Sequence, residues 1–238
     1  MPSPLIISHR TQMGTMPENS LEGIEAAMHS GVDGIEIDVR QTADGEIVLM
    51  HDDSLLRVTG FDVKIKDLTI QELSEYHLTN THTKNGSVKI PTLREVLHFI
   101  DSKTLLVIEP KESKLESRIA EILAERNNID QCWVWCLDPE VIREIPSKFT
   151  HVPTWLSFGM NSPLSNDPEI VIQSAMEFGV KGITANYKLL NEDLIILVHS
   201  YGLQVAAWTV NEIDAIENLK SLNVDVICSD FPERIFNI

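Results

Sequence analysis

Gly31-Val32-Asp33-Gly34-Ile35-Glu36-Ile37-Asp38-Val39 is the stretch whose reading decides the fold. A helical pattern over residues 19–30 precedes it. Gly31 can take the left-handed conformation that stops a helix. The β-branched run near 33–39 then reads as a strand buried on both faces. The same return from helix to strand recurs at Gly179-Val180-Lys181-Gly182 and at Gly202-Leu203. Leu222-Asn223-Val224-Asp225 repeats it with asparagine in the glycine's place. Repeated alternation of this kind predicts an α/β fold with a parallel sheet.

Further strand-like runs lie near 4–9, 46–51, 104–109, 132–137, 152–157, 181–185, 203–208 and 224–229. Helical patterns fill 92–102, 114–127, 139–145, 167–178, 191–201 and 211–222. Thr42-Ala43-Asp44-Gly45 is a hairpin signal, so 46–51 returns beside the sheet and eight strands are left. Eight βα units in 238 residues predict a TIM (β/α)8 barrel, a single domain over 1–238. The runner-up is an open doubly wound sheet, weakened because no Gly-rich phosphate fingerprint follows the first strand. Thr92-Leu93-Arg94-Glu95 is a capping box. Asn191 and Asn211 read as acceptors at two further helix starts. Residues 52–91 break the alternation: they are polar, with a loop tip at 79–86 and a short capped helix at Leu68–Leu73. They are expected to form a subdomain inserted after the His51 strand, covering one side of the active face.

The formal net charge is −17, with 43% hydrophobic and 23% charged residues. This balance speaks against nucleic acid or an anionic membrane as partner, since both call for a basic face. No apolar run reaches 18 residues, so no stable membrane insertion is expected. Met1-Pro2-Ser3-Pro4 leads into a strand without a basic segment, so no secretory signal and a cytoplasmic location are expected. Cys132, Cys136 and Cys228 lie in apolar segments and read as buried reduced thiols. Apolar residues on the outer helices leave a homo-oligomer open.

The chemistry-bearing residues gather at strand ends, where α/β folds place their sites. His9-Arg10 ends the first run, His51-Asp52 the third, and Glu109-Pro110-Lys111 the fourth. Glu36 and Asp38, two apart on a strand, point to one face. Two carboxylates held together repel unless a cation or proton lies between them, so a hard divalent metal is the natural occupant. His9 and His51 are the candidate acid/base pair, because imidazole titrates near neutral pH. Arg10 and Lys111 are candidate phosphate binders and supply the local positive charge that an acidic protein lacks. His29, His77, His82, His98, His151 and His199 read as structural or surface residues.

These motifs resemble the glycerophosphodiester phosphodiesterases. The matching residues are His9-Arg10, Pro17-Glu18-Asn19-Ser20, Glu36-Ile37-Asp38-Val39, Thr42-Ala43-Asp44-Gly45, Val48-Leu49-Met50-His51-Asp52, Leu56-Arg57-Val58-Thr59-Gly60, Ile90-Pro91-Thr92-Leu93-Arg94-Glu95, Glu109-Pro110-Lys111, Trp208-Thr209-Val210-Asn211 and Ser229-Asp230-Phe231-Pro232. They run in order across nearly the whole chain. The resemblance implies a TIM barrel with a small insertion after the second histidine. It implies that Glu36, Asp38 and Glu109 bind a divalent metal, Ca2+ or Mg2+. His9 and His51 would be the catalytic acid and base; we assign His9 to activating the nucleophile and His51 to protonating the leaving oxygen, two roles that the sequence leaves exchangeable. Arg10 and Lys111 would hold the phosphate, Glu18 and Asn19 would line the site, and Trp208 would wall the glycerol or the departing alcohol. The expected substrate is a small glycerophosphodiester, hydrolysed to sn-glycerol 3-phosphate and an alcohol. The alternatives are a barrel phosphodiesterase acting on lysophospholipids or another diester, and a non-catalytic glycerophosphodiester binder. Two positions depart from the family pattern. Thr11 stands where glycine is usual, and Pro110 where an aliphatic residue is usual. The proline is expected to be tolerable only if the strand's ladder ends at Glu109. Neither departure deletes a functional group, so activity is expected.

Overall fold

The computed structural model describes residues 3–79, 88–125, 131–138, 141–142, 152–159 and 167–237. The strands are β1 (Leu5–Ser8), β2 (Gly34–Gln41), β3 (Ile47–Leu49), β4 (His77–Leu78), β5 (Val88–Lys89), β6 (Leu105–Pro110), β7 (Cys132–Cys136), β8 (Thr154–Phe158), β9 (Gly182–Asn186), β10 (Gln204–Trp208) and β11 (Val226–Ser229). β1 pairs in parallel with both β2 and β11. From β2 the parallel pairing runs through β6, β7, β8, β9 and β10 to β11, closing an eight-stranded ring. This is the expected TIM barrel. β3 lies antiparallel on β2, the hairpin return that Gly45 makes at φ 89°.

The described helices are α1 (Leu21–Ser30), α2 (Leu56–Thr59), α3 (Ile70–Leu73), α4 (Leu93–Phe99), α5 (Glu116–Leu123), α6 (Pro168–Phe178), α7 (Glu192–Ser200) and α8 (Ile213–Ser221). Gly31 and Gly179 end α1 and α6 in the left-handed conformation. Gly202 and Asn223 stop α7 and α8 at φ 75° and 60°. Of the expected helix at 139–145 only 141–142 are described, and they are helical. The expected loop tip at 79–86, beyond residue 79, and His82 and His151 lie outside the described residues.

Strand alternation separates two apolar layers. Ile35, Ile37 and Val39 of β2 point outward and pack with Ile24, Val96 and Ile119 of the helices. Ile7, Val107, Trp133, Trp135, Trp155 and Cys228 point inward. The Trp133 and Trp155 rings pack with centroids 5.2 Å apart and plug the barrel interior. A third cluster joins Leu55, Val58, Ile65, Leu68, Leu73, Leu78, Val88 and Ile90 to Val48 and Met50, and so seats the described part of the 52–91 stretch, residues 52–79 and 88–91, on β3.

Two expectations need correction. Asn211 does not cap α8: the capping position is Glu212, which makes no side-chain cap bond. Nor does the ladder end at Glu109. Pro110 stays in register with Val39, and the Lys111 N–H donates to Val39 O at 3.1 Å. Successive residues of a strand turn their N–H groups to alternate neighbours. The missing N–H of Pro110 therefore faces β7, and pairing with β7 has already stopped at Ile108.

Candidate active site

Glu109 and Trp208 lie at the carboxyl ends of β6 and β10, His9, Arg10, His51 and Lys111 follow the ends of strands, and Glu36 and Asp38 lie within β2. His9 follows β1 and donates its N–H to Ser229 O at 2.9 Å. Its Nδ1 lies 2.6 Å from Asp230 Oδ1. Asn211 donates to Asp230 Oδ2 at 2.7 Å and accepts from the Asp230 N–H at 3.0 Å, which explains why it is not a helix cap. Burial works against charge on Asp230, yet His9 and Asn211 hold its carboxyl below the usual carboxylate range. Across the mouth, His51 Nδ1 lies 2.7 Å from Asp52 Oδ1. Arg40 donates twice to His51 O, at 3.0 and 2.9 Å, and fixes the backbone there. Each imidazole thus has Nδ1 on a carboxylate, leaving Nε2 as the nitrogen available for proton transfer.

Glu36, Asp38 and Glu109 offer oxygens that lie within 4.8 Å of one another. Glu36 and Asp38 are each 1% exposed. Burial, then the neighbouring Asp38 and Glu109, push the Glu36 carboxyl well above its ordinary range. Burial also opposes charge on Asp38, but Lys111 and Arg10 outweigh it and hold that group down. Lys111 Nζ reaches Asp38 Oδ1 at 2.9 Å and Glu109 Oε1 at 2.5 Å. Those carboxylates overcome its burial and raise its pKa. Among the described residues, Glu36 Oε1 is buried without a hydrogen-bond partner. A buried orphan carboxylate oxygen beside two more carboxylates is the donor set of a hard divalent cation.

Asn19 does not line the cleft. It sits behind Asp38, donating to Asp38 Oδ2 at 2.8 Å and accepting from the Asp38 N–H at 3.0 Å. Glu18 also lies off the cleft, between Arg10 and Arg57. His9, Arg10, Glu36, His51, Glu109 and Lys111 line one side of the cleft, and Trp135, Leu137, Ser157 and Trp208 line the other. Cys228 closes the floor; burial, then Glu36, keeps its thiol neutral. The three cysteines are buried, as expected. His199 is structural, as expected: its Nε2 pairs with Asp225 at 2.9 Å, by the amino-terminal end of β11 and away from the cleft.

Asp230, Asn211, Arg40 and Arg57 were not among the expected site residues. Three of them lie in motifs quoted above for the resemblance, but their roles depend on partners up to 221 residues away in the chain.

A parallel barrel whose mouth gathers three carboxylates, two carboxylate-held imidazoles and two cations defines a hydrolase of the phosphoric diester class. The glycerophosphoryl diester phosphodiesterase family model matches residues 9–234, and the chain belongs to that family. It is 28% identical to a glycerophosphodiester phosphodiesterase of Bacillus altitudinis, over 98% of this chain and 97% of that protein. A crystal structure of the Thermotoga maritima glycerophosphodiester phosphodiesterase superposes with TM-score 0.84 at 25% identity, covering 100% of this chain and 99% of that one. An Oleispira antarctica phosphodiesterase, solved with its product sn-glycerol-3-phosphate, shares the fold with TM-score 0.88 at 22% identity, covering 99% and 96%. The chain is an enzyme, a phosphoric diester hydrolase. Among the described residues no helix is long and apolar enough to cross a membrane.

Proposed function

We propose that the enzyme hydrolyses glycerophosphodiesters to sn-glycerol 3-phosphate and an alcohol, with a divalent cation held by Glu36, Asp38 and Glu109. The observation that carries this reading is the convergence of the orphan Glu36 Oε1, its two carboxylate neighbours and two carboxylate-held imidazoles on one cleft. Such oxygens suit Ca2+ or Mg2+. The cation, when bound, supplies charge neutralisation on the phosphate. Arg10 and Lys111 face the same space and would hold the phosphate oxygens. Trp208, on the opposite wall, would pack against the glycerol or the alcohol. The product bound to the Oleispira relative supports sn-glycerol 3-phosphate as the product here.

The two histidines share the proton transfers. Burial lowers the His51 pKa, Lys111 and Arg10 add to the effect, and Asp38 and Asp52 oppose it. A lowered pKa favours the neutral form of His51, the form that accepts a proton from the nucleophile. His9 is then left to protonate the departing oxygen. This reverses the assignment expected from the sequence, where nothing distinguished the two. Residues 52–91 we read as a subdomain inserted into the single barrel domain, seated beside His51.

The test is release of glycerol 3-phosphate from glycerophosphocholine by EDTA-stripped enzyme, with and without added Ca2+ or Mg2+. Cation-dependent release is expected. Full activity after exhaustive chelation would remove the metal from the reaction, and no release with either cation would refute this substrate class.

A further inference from the structure

We propose that Arg57 is a positioning residue that keeps His51 and Arg10 in working geometry, and so ties the 52–91 segment to the chemistry. This rests on the function proposed above.

Arg57 brings no group into the cleft. It stands on α2, whose buried Val58 belongs to the small apolar cluster beneath the segment. Its guanidinium spans two carboxylates. Nε donates to Asp52 Oδ2 at 2.6 Å, and Asp52 holds the His51 ring by its other oxygen. Nη1 and Nη2 donate to Glu18 Oε2 and Oε1 at 2.6 and 2.8 Å. Such a fork fixes the orientation of a carboxylate in a way a single bond does not.

The second contact bears on phosphate binding. Glu18 also faces Arg10, but Nη1 of Arg10 stands at 3.4 Å from Glu18 Oε1. The short hydrogen bonds of Glu18 therefore go to Arg57, and Arg10 stands at 3.4 Å from both Glu18 and Asp38 Oδ2, held loosely enough to meet a phosphate. Without Arg57, Glu18 would have Arg10 as its remaining cation and would draw it from the cleft. At the same time Asp52 would lose the partner that sets its angle against His51. One side chain thus acts on both proton transfer and phosphate binding. The Arg57 side chain is 45% exposed, so solvent screens its ion pairs and their contribution to stability is modest. The larger effect belongs in the kinetics.

The experiment compares the wild-type enzyme with Arg57→Ala, Arg57→Lys, Arg57→Ala/Glu18→Gln and His51→Ala, using glycerophosphocholine. Arg57→Ala is expected to lower kcat about 10- to 100-fold, the range for a displaced supporting contact, and to raise KM. Its thermal midpoint should stay near that of the wild type. Adding Glu18→Gln should return KM toward the wild-type value while kcat stays low. Arg57→Lys keeps the charge but loses the fork, and should fall between. The proposal is overturned if kcat and KM of Arg57→Ala both lie within about twofold of wild type, the spread expected of a surface change of ~0.4 kcal/mol. It is also overturned if the loss comes with a collapsed melting temperature and no recovery of KM in the double variant. The proton NMR signal of the His51 Nδ1–H, identified by its absence in His51→Ala, gives a readout independent of activity. It should shift in Arg57→Ala, and an unchanged signal overturns the proposal. The reading it rests on fails separately: His51→Ala should cost ~100- to 10,000-fold in kcat, and full activity there removes His51 from the reaction whatever Arg57 does.

Discussion

Thr11 takes φ 74°, a region that β-branched residues rarely enter, and it is fully buried. Its neighbour across the packing is Gly23 of α1, where an added Cβ would lie 2.1 Å from Thr11 Oγ1. The departure at Thr11 is thus accommodated by the absence of a side chain at Gly23. Gly23→Ala should destabilise the enzyme by about 1–3 kcal/mol through overpacking. In a Thr11→Gly background the same change should cost less than ~1 kcal/mol, because the clashing atoms are gone. Urea midpoints of the four proteins test this, and equal costs in both backgrounds would break the pairing. Asp52 carries a pH signature. Burial works against its charge, but Arg57 and His51 lower its pKa to about 2. An unfolded aspartate titrates near ~3.9. Its contribution is therefore full above about pH 4 and is lost as pH falls through that window toward 2. The stability gap between wild type and Asp52→Asn should close over that window, and a gap that stays constant would rule out the linkage.

At the scale of elements, α4 shows what a local signal can specify. Thr92 Oγ1 accepts from the Glu95 N–H at 3.2 Å, and Glu95 Oε2 accepts from the Thr92 N–H at 2.7 Å, completing the expected capping box. Thr92→Ala should cost about 0.5–2 kcal/mol with kcat unchanged, since the cap lies away from the cleft. A variant that lost activity without losing stability would show that this helix start reaches the site. The helix ends earlier than its pattern, at Phe99, because Ile100 is extended and Asp101 accepts from the N–H groups of Lys103 and Thr104. Asn191 and Asn211 looked alike in sequence, yet only Asn191 caps, accepting from the Leu194 N–H at 2.9 Å. The Oδ1 of Asn211 instead accepts from the Asp230 N–H and the Ser229 hydroxyl, while its amide donates to the Asp230 carboxylate at the neighbouring strand's end. Pro110 makes the same point for strands. A sheet tolerates proline where its missing N–H faces an edge that is already unpaired, here the part of β6 beyond Ile108, where pairing with β7 has stopped.

For the whole molecule, the decisive arrangement is electrostatic. A chain of net charge −17 closes its barrel with three carboxylates at one mouth. Lys111 and Arg10 offset them only in part, since Glu36 stays far from its ordinary pKa. A cation bound by the folded state alone should therefore stabilise it, by ~2.7 kcal/mol at a hundredfold excess over Kd. For a chain of this length that is a rise of roughly 5–10 °C in Tm. Ca2+ or Mg2+ added to EDTA-treated protein should give that rise, and Glu36→Gln should abolish it; an unshifted Tm would mean that the cluster is not a cation site. The barrel, the hairpin return and the strand-end residues were legible along the chain, because each rests on local periodicity, a helix-stopping Gly or Asn, or a motif a few residues long. What only the tertiary structure decided is which residues hold the reacting groups in place. Asp230 on His9, Asn19 behind Asp38 and Arg57 between Asp52 and Glu18 are contacts between segments far apart in sequence. Closure of the ring brings β11 beside β1, and α2 brings Arg57 to Glu18; no pattern within either segment encodes the distance between them.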